Sequence, residues 1–366
     1  MQRRATRKVR VGSVEIGGGA PVSVQSMTNT PTSDVDATIE QARRLEMAGC
    51  DIVRVAVPDR NAAAALRDIK SAISIPLVAD IHFDHKLALA ALDAGVDKLR
   101  INPGNIGSDQ KVEAVARAAK EQGVPIRIGV NAGSIDRKRY GMPTAEALVE
   151  SAMDEVILLE RLGFEDIVLS LKAFDVLTMI RAYQLASERC DYPMHLGVTE
   201  AGLAWEGTIR SSVGIGALLA EGIGDTLRVS LTGDPVEEVK VGKEILNSLG
   251  LVRKPFTLIS CPTCGRCAVD LSAIAREVRS RLEVNPPARP ITVAVMGCVV
   301  NGPGEASLAD VGIAGGRGSG AVFVGGEMLR TVSEDKLVDE LMEEVERFAR
   351  DSQSESAGCS PYTRPD

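Results

Sequence analysis

A chain of 366 residues with 45% hydrophobic content can bury more than one core, and its length suits a barrel of about 250 residues plus a smaller unit. A net charge of -8 and only 3% aromatic residues argue against nucleic acid as the main partner, since both a basic footprint and stacking platforms are lacking. Seven cysteines, an odd number, a start without leader character and no apolar run near the ~18 residues of a membrane span set the expectation of a reduced, cytoplasmic protein.

The basic opening Arg3-Arg4-Ala-Thr-Arg7-Lys8-Val-Arg10 is expected to be a solvated end. Val9-Arg-Val11 and Val14-Glu-Ile16 then alternate around Gly12-Ser13, which predicts a two-residue hairpin suited to plug the bottom of a barrel. From Val22 to about Gly250 one theme repeats eight times: a short β-rich run, a polar loop, and a helical stretch ending near a glycine. The runs are Val22–Gln25, Asp51–Val57, Ile75–Ile81, Asp97–Ile101, Val124–Val130, Asp166–Leu171, Met194–Thr199 and Thr226–Leu231, with helices such as Asp34–Ala48, Lys86–Ala94 and Thr144–Leu162 between them. Alternating strands and helices imply parallel pairing, and eight units imply a closed (β/α)8 barrel of the α/β class. The alternative, a doubly wound open sheet, lacks a Gly-x-Gly-x-x-Gly after its first strand.

Several of these strands carry cations where a core strand would be apolar. Arg54, Arg100, Arg127 and Arg228 each interrupt a hydrophobic run, and an unpaired buried charge is costly. Residues two apart on a strand share a face, so Arg100 goes with Asn102, Arg127 with Asn131, Asp80 with His82, Ser170 with Lys172 and Arg228 with Ser230, while Glu200 closes strand seven. Turned inward, these side chains line the C-terminal mouth where barrel active sites lie. The arginines could pair only with Asp80, Glu200 and nearby carboxylates. Four arginines and Lys172 nevertheless outnumber those two acids, which points to a multiply anionic ligand such as a diphosphate. A substrate contact is expected for His82, a helix-start role for His85, a structural role for His195, a loop position for Trp205 and a turn at Gly17-Gly-Gly19.

After Val252-Arg-Lys-Pro255 the period changes. A strand at Phe256–Ser260, a helix from about Val269 to Glu283, strands at Ile291–Met296, Asp310–Ala314 and Ala321–Val324, and a helix from Ser333 to about Arg350 read as a separate α+β domain. The expected partition is 1–252 barrel, 253–350 iron-sulfur domain and 351–366 disordered tail, with Cys359 incidental. Cys261-Pro-Thr-Cys264-Gly-Arg-Cys267 and Met296-Gly-Cys298-Val-Val-Asn-Gly-Pro-Gly-Glu305 bring four cysteines into this domain, and their spacing reads as an iron-sulfur site. A zinc site of Cys261, Cys264, Cys267 and Cys298 stays open, although no histidine lies nearby. A bacterial ferredoxin run would need a further cysteine where Leu271 stands, and a thioredoxin-like pair would open a compact βαβ domain instead.

Together, Val24-Gln-Ser-Met-Thr-Asn-Thr30, Ala79-Asp-Ile-His82, Leu99-Arg-Ile-Asn-Pro-Gly-Asn105, Leu196-Gly-Val-Thr-Glu-Ala-Gly202 and the two cysteine segments resemble the 4-hydroxy-3-methylbut-2-enyl diphosphate synthases in their bacterial two-domain form. The resemblance covers nearly the whole chain up to Arg350. It implies reductive opening of 2-C-methyl-D-erythritol 2,4-cyclodiphosphate with loss of water in isoprenoid biosynthesis, two electrons arriving from flavodoxin or ferredoxin. It also implies a 4Fe-4S cluster on Cys261, Cys264, Cys298 and Glu305, while Cys267 departs from the pattern as an extra thiol. On this reading Arg54, Arg100, Arg127, Lys172 and Arg228 hold the diphosphate and Glu200 moves a proton. The helix from Pro235 to about Leu249 returns the chain to the far end of the barrel, so a head-to-tail homodimer is expected. The rivals are a barrel synthase resembling the pterin-binding enzymes with a zinc-stapled appendage, and an iron-sulfur sensor of an anionic metabolite.

Overall fold

The computed structural model describes residues 2–298, 304 and 309–351, and the chain divides into two compact units, Met1–Val252 and Arg253–Asp366. The first unit opens with an antiparallel hairpin, β1 (Val9–Val11) and β2 (Val14–Ile16), paired Val9 to Ile16. Eight strands follow: β3 (Ser23–Met27), β4 (Ile52–Ala56), β5 (Leu77–Asp80), β6 (Lys98–Ile101), β7 (Ile126–Asn131), β8 (Ile167–Lys172), β9 (His195–Leu196) and β10 (Thr226–Leu227). Consecutive strands from β3 to β8 pair in parallel, β10 joins β9 to β3, and a bridge between Leu169 and Met194 closes the ring. Around it run α1 (Val35–Met47), α2 (Arg60–Ala72), α3 (His85–Asp93), a short α4 (Pro103–Ile106), α5 (Asp109–Gln122), a short α6 (Arg137–Tyr140), α7 (Ala145–Arg161), α8 (Val176–Arg189), α9 (Ala204–Ala220) and α10 (Pro235–Ser248).

Local chemistry fixes both ends of the repeat. Asp34, Asp59, Asp84, Asp175 and Asp234 cap α1, α2, α3, α8 and α10, each carboxylate accepting from a first-turn N–H that has no helical partner. At the other end, Asp51, Asp97 and Asp225 stand just ahead of β4, β6 and β10, and each accepts a backbone N–H from the preceding strand region: Val24 at 2.7 Å, Leu77 at 2.7 Å and Met194 at 2.9 Å. The main apolar core lies between strands and helices, built from outward residues such as Val53, Val55, Leu99, Ile126, Ile128 and Leu169. Ile52 and Val78 belong to a different cluster, packed with Val11 and Ile16 of the hairpin, so the hairpin seals the barrel floor.

The basic opening is not a solvated end. Arg3 reaches Asp225 at 3.1 Å, Arg4 donates to the carbonyls of Cys190 and Tyr192, and Arg7 pairs with Asp191 at 2.7 Å while stacking on Tyr192. Carbonyls and carboxylates left at the strand starts need donors, and this segment supplies them. Trp205 is likewise not in a loop: it lies in the first turn of α9 and is 76% exposed.

The second unit is a five-stranded sheet in the order β11 (Phe256–Ser260), β12 (Ile291–Met296), β13 (Val311–Gly316), β14 (Ser319–Val324), β15 (Glu327–Ser333). The first three pair in parallel and the last three antiparallel. Helices α11 (Leu271–Val284) and α12 (Leu337–Asp351) cover one face through Val278, Leu282, Leu341 and Val345. Strand β15 is an element the sequence reading missed, and it moves the start of the last helix from Ser333 to Leu337. Its pattern is exposed almost throughout, so no hydrophobic alternation announces it.

Candidate functional site

Pleat and register together sort the inward side chains of the barrel into layers contributed by alternate strands. The lowest holds Ile52, Lys98, Val168 and Thr226, and the next Gln25, Val78, Arg127 and His195. Above them come Arg54, Arg100, Ser170 and Arg228, then Asp80 with Gly129 and Gly197, and finally Asn102, Lys172 and Ser230, with His82 and Asn131 at the rim. The strand residues singled out from the sequence as ligand contacts therefore all turn into one barrel interior, Arg127 in the second layer from the floor and the others in the layers above it. Glu200 is exposed in the segment after β9, while His82, Asn102, Arg228 and Ser230 lie just past the ends of β5, β6 and β10.

Asp80 is the acid at the centre of this constellation. Arg100 donates to it at 3.0 Å, Arg54 stands 3.8 Å away, and His82 lies at 3.6 Å. Burial opposes its charge, yet Arg54, then His82, Arg100 and Arg127 hold the carboxyl well below the usual carboxylate range. Arg100 also donates to the Gly129 carbonyl at 3.2 Å and lies 2.9 Å from His82 Nε2. With its amide turned to suit its neighbours, Asn131 accepts from the same guanidinium at 3.2 Å. Gly129 has no side chain because Arg100 fills the space: an added Cβ would lie 2.4 Å from Arg100 Nε. Gly197 does the same for Lys172, whose Nζ would be 2.7 Å from such a Cβ.

Arg228 differs from the other cations. Its Nε and Nη2 donate to both oxygens of Glu238 at 3.1 and 3.0 Å, and that carboxylate also accepts from Ser26 Oγ and the Leu231 N–H. Glu238 is a site residue that sequence reading missed, since it sits on α10 in a pattern read as a plain amphipathic helix. Its burial inside a fully bonded pair makes truncation expensive: Glu238→Ala is expected to cost about 3–5 kcal/mol by leaving Arg228 uncompensated. Denaturant unfolding of the variant checks this.

The remaining cations have little to answer them. Arg127 is 1% exposed, with Nε and Nη2 unpartnered, and Lys98 is fully buried with Nζ unpartnered. Burial pulls Lys172 well below the ordinary lysine value, with Arg127, Arg54, Arg228 and Arg100 adding to the effect. Burial likewise draws Arg54 down to about 10, Asp80 resisting. The Asn102 Oδ1 is buried without a partner as well. One carboxylate thus faces Arg54, Arg100, Arg127 and Lys172, a set that can bind and orient a multiply charged anion.

Glu200 has a φ of 52°, the one positive value outside glycine among the described residues. That conformation costs a residue with a Cβ about 1 kcal/mol or more. The segment is held by Arg210 donating to the Ala201 carbonyl at 2.8 Å and by the Thr232 N–H donating to the Gly202 carbonyl at 2.9 Å.

The second unit places Cys261 and Cys298 past the C-terminal ends of two adjacent parallel strands, with Cys264 and Cys267 in the turn after the first. Cys261 follows β11 and donates its N–H to Val295 of β12, while the Gly297 N–H donates to the Cys261 sulfur at 3.3 Å. The Cys267 N–H closes the turn on the Cys264 carbonyl at 2.9 Å. Gly297 must be glycine here, because a Cβ would stand 2.5 Å from the Cys267 sulfur. Cys298 follows directly and is buried. The Arg266 backbone N–H, with little burial to oppose it, holds the Cys264 thiol below its ordinary value. Soft sulfur donors with an N–H aimed at one of them fit an iron-sulfur group. Among the described residues no three His, Cys, Asp or Glu side chains are gathered closely enough to hold a metal, and Glu305 lies outside them. The tail beyond residue 351, with Cys359, also lies outside.

Fold and sites define a (β/α)8-barrel protein with a cation-rich mouth, joined to a separate α+β unit that presents thiols at its strand ends. Residues 6–243 match the GcpE TIM-barrel domain and residues 257–347 the GcpE protein C-terminal domain, and the chain belongs to that family. It is 59% identical over 349 residues to the 4-hydroxy-3-methylbut-2-en-1-yl diphosphate synthase (flavodoxin) of Clostridium perfringens, covering 94% of this chain and 99% of that one. The enzyme of the same name from Symbiobacterium thermophilum is 55% identical over 367 residues, covering 100% and 99%. Among solved structures, dihydropteroate synthase from Thermus thermophilus aligns with a TM-score of 0.51 at 16% identity over 67% of this chain and 98% of that one, a likeness of barrel fold alone.

Proposed function

We propose that this chain catalyses the reductive opening of 2-C-methyl-D-erythritol 2,4-cyclodiphosphate to 4-hydroxy-3-methylbut-2-enyl diphosphate in isoprenoid biosynthesis. Two electrons and two protons balance the reaction: a ring C–O bond to phosphate opens and a hydroxyl leaves as water. The observation that carries the reading is the charge balance of the barrel mouth, where Arg54, Arg100, Arg127 and Lys172 face the lone carboxylate of Asp80. Those four bind the diphosphate, and Arg228, fixed by Glu238, offers its remaining edge. His82, Asn102, Asn131, Ser170 and Ser230 orient the ligand through neutral hydrogen bonds that fix its register without adding charge. Glu200 moves a proton at the departing hydroxyl.

Cys261, Cys264, Cys298 and Glu305 are the residues that would hold a 4Fe-4S cluster. When bound, such a cluster would pass on the two electrons one at a time and would supply a Lewis-acidic iron. Flavodoxin or a ferredoxin is the electron donor, and the reduced cytoplasm is the compartment that suits the free cysteines. Among the described residues no helix is long and apolar enough to cross a membrane.

The working assembly is a head-to-tail homodimer. The chain leaves the barrel after α10 on the side opposite the mouth, and the few residues before β11 reach only about 3.5 Å each. A dilute monomer with full specific activity would refute that arrangement. The activity itself is tested by anaerobic purification, iron and sulfide analysis, dithionite reduction, and addition of the cyclic diphosphate while cluster absorbance is followed. Four iron and four sulfide per chain, with reoxidation only in the presence of substrate, is the expected result. Zinc without sulfide would leave only an anion-binding barrel.

A further inference from the structure

The floor of the barrel holds a titratable group that the reading above does not use. Lys98 rises from the lowest layer of the interior, 0% exposed, with no hydrogen-bond partner for its amine. Below it the hairpin closes the barrel with Val11 and Ile16 packed on Ile52 and Val78, and the floor carboxylates Asp51, Asp97 and Asp225 are engaged by strand N–H groups and by Lys243, Lys70 and Arg3. In the next layer Gln25 has both amide atoms unpartnered, Arg127 two N–H groups, and His195 its Nε2. Going round the barrel, β4 brings Arg54, β5 Asp80, β6 Arg100, β7 Arg127, β8 Lys172, β9 His195 and β10 Arg228, the last already matched to Glu238. Asp80 is engaged two to three layers higher by Arg100 and Arg54.

We propose that Lys98 is a proton-binding site built into the barrel floor, neutral while the mouth is empty and charged when a multiply anionic ligand occupies it. The proposal rests on the anion-binding reading of the mouth. In the free protein a charged amine there would be desolvated among cations, and burial, reinforced by Arg127 and Arg54, pulls it well below the ordinary lysine value. Occupation of the mouth reverses the local field. One charge at about 10 Å across an effective dielectric of about 20 changes a proton affinity by roughly tenfold, and a diphosphate carries more than one. Proton uptake by Lys98 then adds to ligand affinity. Affinity falls as pH rises, by up to about tenfold per pH unit for one proton fully taken up. Lys98 acts through the field at Arg127 and the ligand and is a positioning residue, not one that touches the reacting atoms.

The experiment is calorimetry with inorganic diphosphate as the probe, on the full chain, in two buffers of different ionisation enthalpy at the same pH. Wild type is compared with Lys98→Met, which keeps the volume and removes the amine. The ligand's own titration is common to both proteins and cancels. Wild type should take up more protons than the variant, by a substantial fraction of one proton, and the affinity of Lys98→Met should depend less steeply on pH. Equal uptake by the two proteins would overturn the proposal. No binding by wild type would instead sink the anion reading beneath it, and the proposal with it.

A second readout needs no ligand. A lysine neutral when folded and charged when unfolded makes the unfolded state bind more protons, so stability rises with pH up to the unfolded lysine value. Lys98→Met lacks this dependence. Its thermal midpoint should exceed that of wild type near neutrality, and the gap should narrow as pH climbs towards 10. A gap that does not change with pH would mean that Lys98 is already charged in the free protein, against the proposal.

Discussion

Glu200→Gln is expected to leave the cluster spectrum and diphosphate affinity close to those of wild type while turnover falls by about 10²–10⁴, the range that a positioned proton donor contributes. The backbone supplies the reason for singling out this carboxylate. A φ of 52° suits glycine, and glutamate accepts about 1 kcal/mol or more of strain there, so the side chain is kept against the conformational preference of its own position. Glu200→Gly separates the two effects. It relieves the strain, which offsets the extra freedom glycine gives the unfolded chain, so stability should hold or rise while turnover is lost as in Glu200→Gln. Turnover within a factor of a few of wild type in Glu200→Gln would remove the proton-transfer role and leave the residue a rim contact. The amide retains size and hydrogen bonding, so a loss confined to binding would appear in KM rather than kcat.

Much of the barrel was legible because its signals are local and repeated. Strand, capping aspartate, helix and glycine recur with the same spacing, and parallel pairing follows from the alternation. The mouth was legible for a different reason. Arginines in apolar strands violate the rule for a buried sheet, and such violations gather at functional sites. What sequence could not supply was the partner of each cation. Asp80 lies in the same pattern and was found with the arginines, but Glu238 approaches from a helix ten residues beyond Arg228, where an acid on an amphipathic helix carries no signal. Lys98 escaped notice because Asp97-Lys-Leu-Arg begins a strand, where a lysine ordinarily reaches solvent. Only the register puts it on the inward face, two residues below Arg100. The basic opening was misread on the same principle. A run of arginines looks solvated until the carbonyls and carboxylates at the barrel floor are seen to need it.

Cys298→Ser is expected to abolish stable iron and sulfide incorporation and reduce activity by at least about 10³, while the second unit stays folded. Its fold does not depend on the thiol. The core of that unit is Val278, Leu282, Val293, Ile313 and Leu341 between sheet and helices, and the cysteine lies past the end of β12. Serine offers a harder, far less acidic donor than thiolate, so the soft cluster irons lose a ligand that nothing nearby replaces in kind except Cys267. That extra thiol makes the experiment a comparison rather than a single variant. If Cys267 is a spectator, Cys267→Ser keeps four iron and four sulfide per chain, and Cys298→Ser keeps none. If Cys267 is a ligand, as in the four-cysteine zinc alternative, the two serine variants fail alike. Gly297 bears on the outcome, because the backbone passes so close to the Cys267 sulfur that a Cβ would stand 2.5 Å away. The thiol is therefore held against the turn that presents Cys298, and its sulfur also approaches the Val269 carbonyl at 3.3 Å. The Cys267 thiol is occupied as a donor to a carbonyl, whereas the Cys261 sulfur accepts an N–H. On the proposed cluster reading Cys261 is expected among the ligands and Cys267 in the turn, and equal metal loss in the Cys267 and Cys298 variants would reverse that expectation.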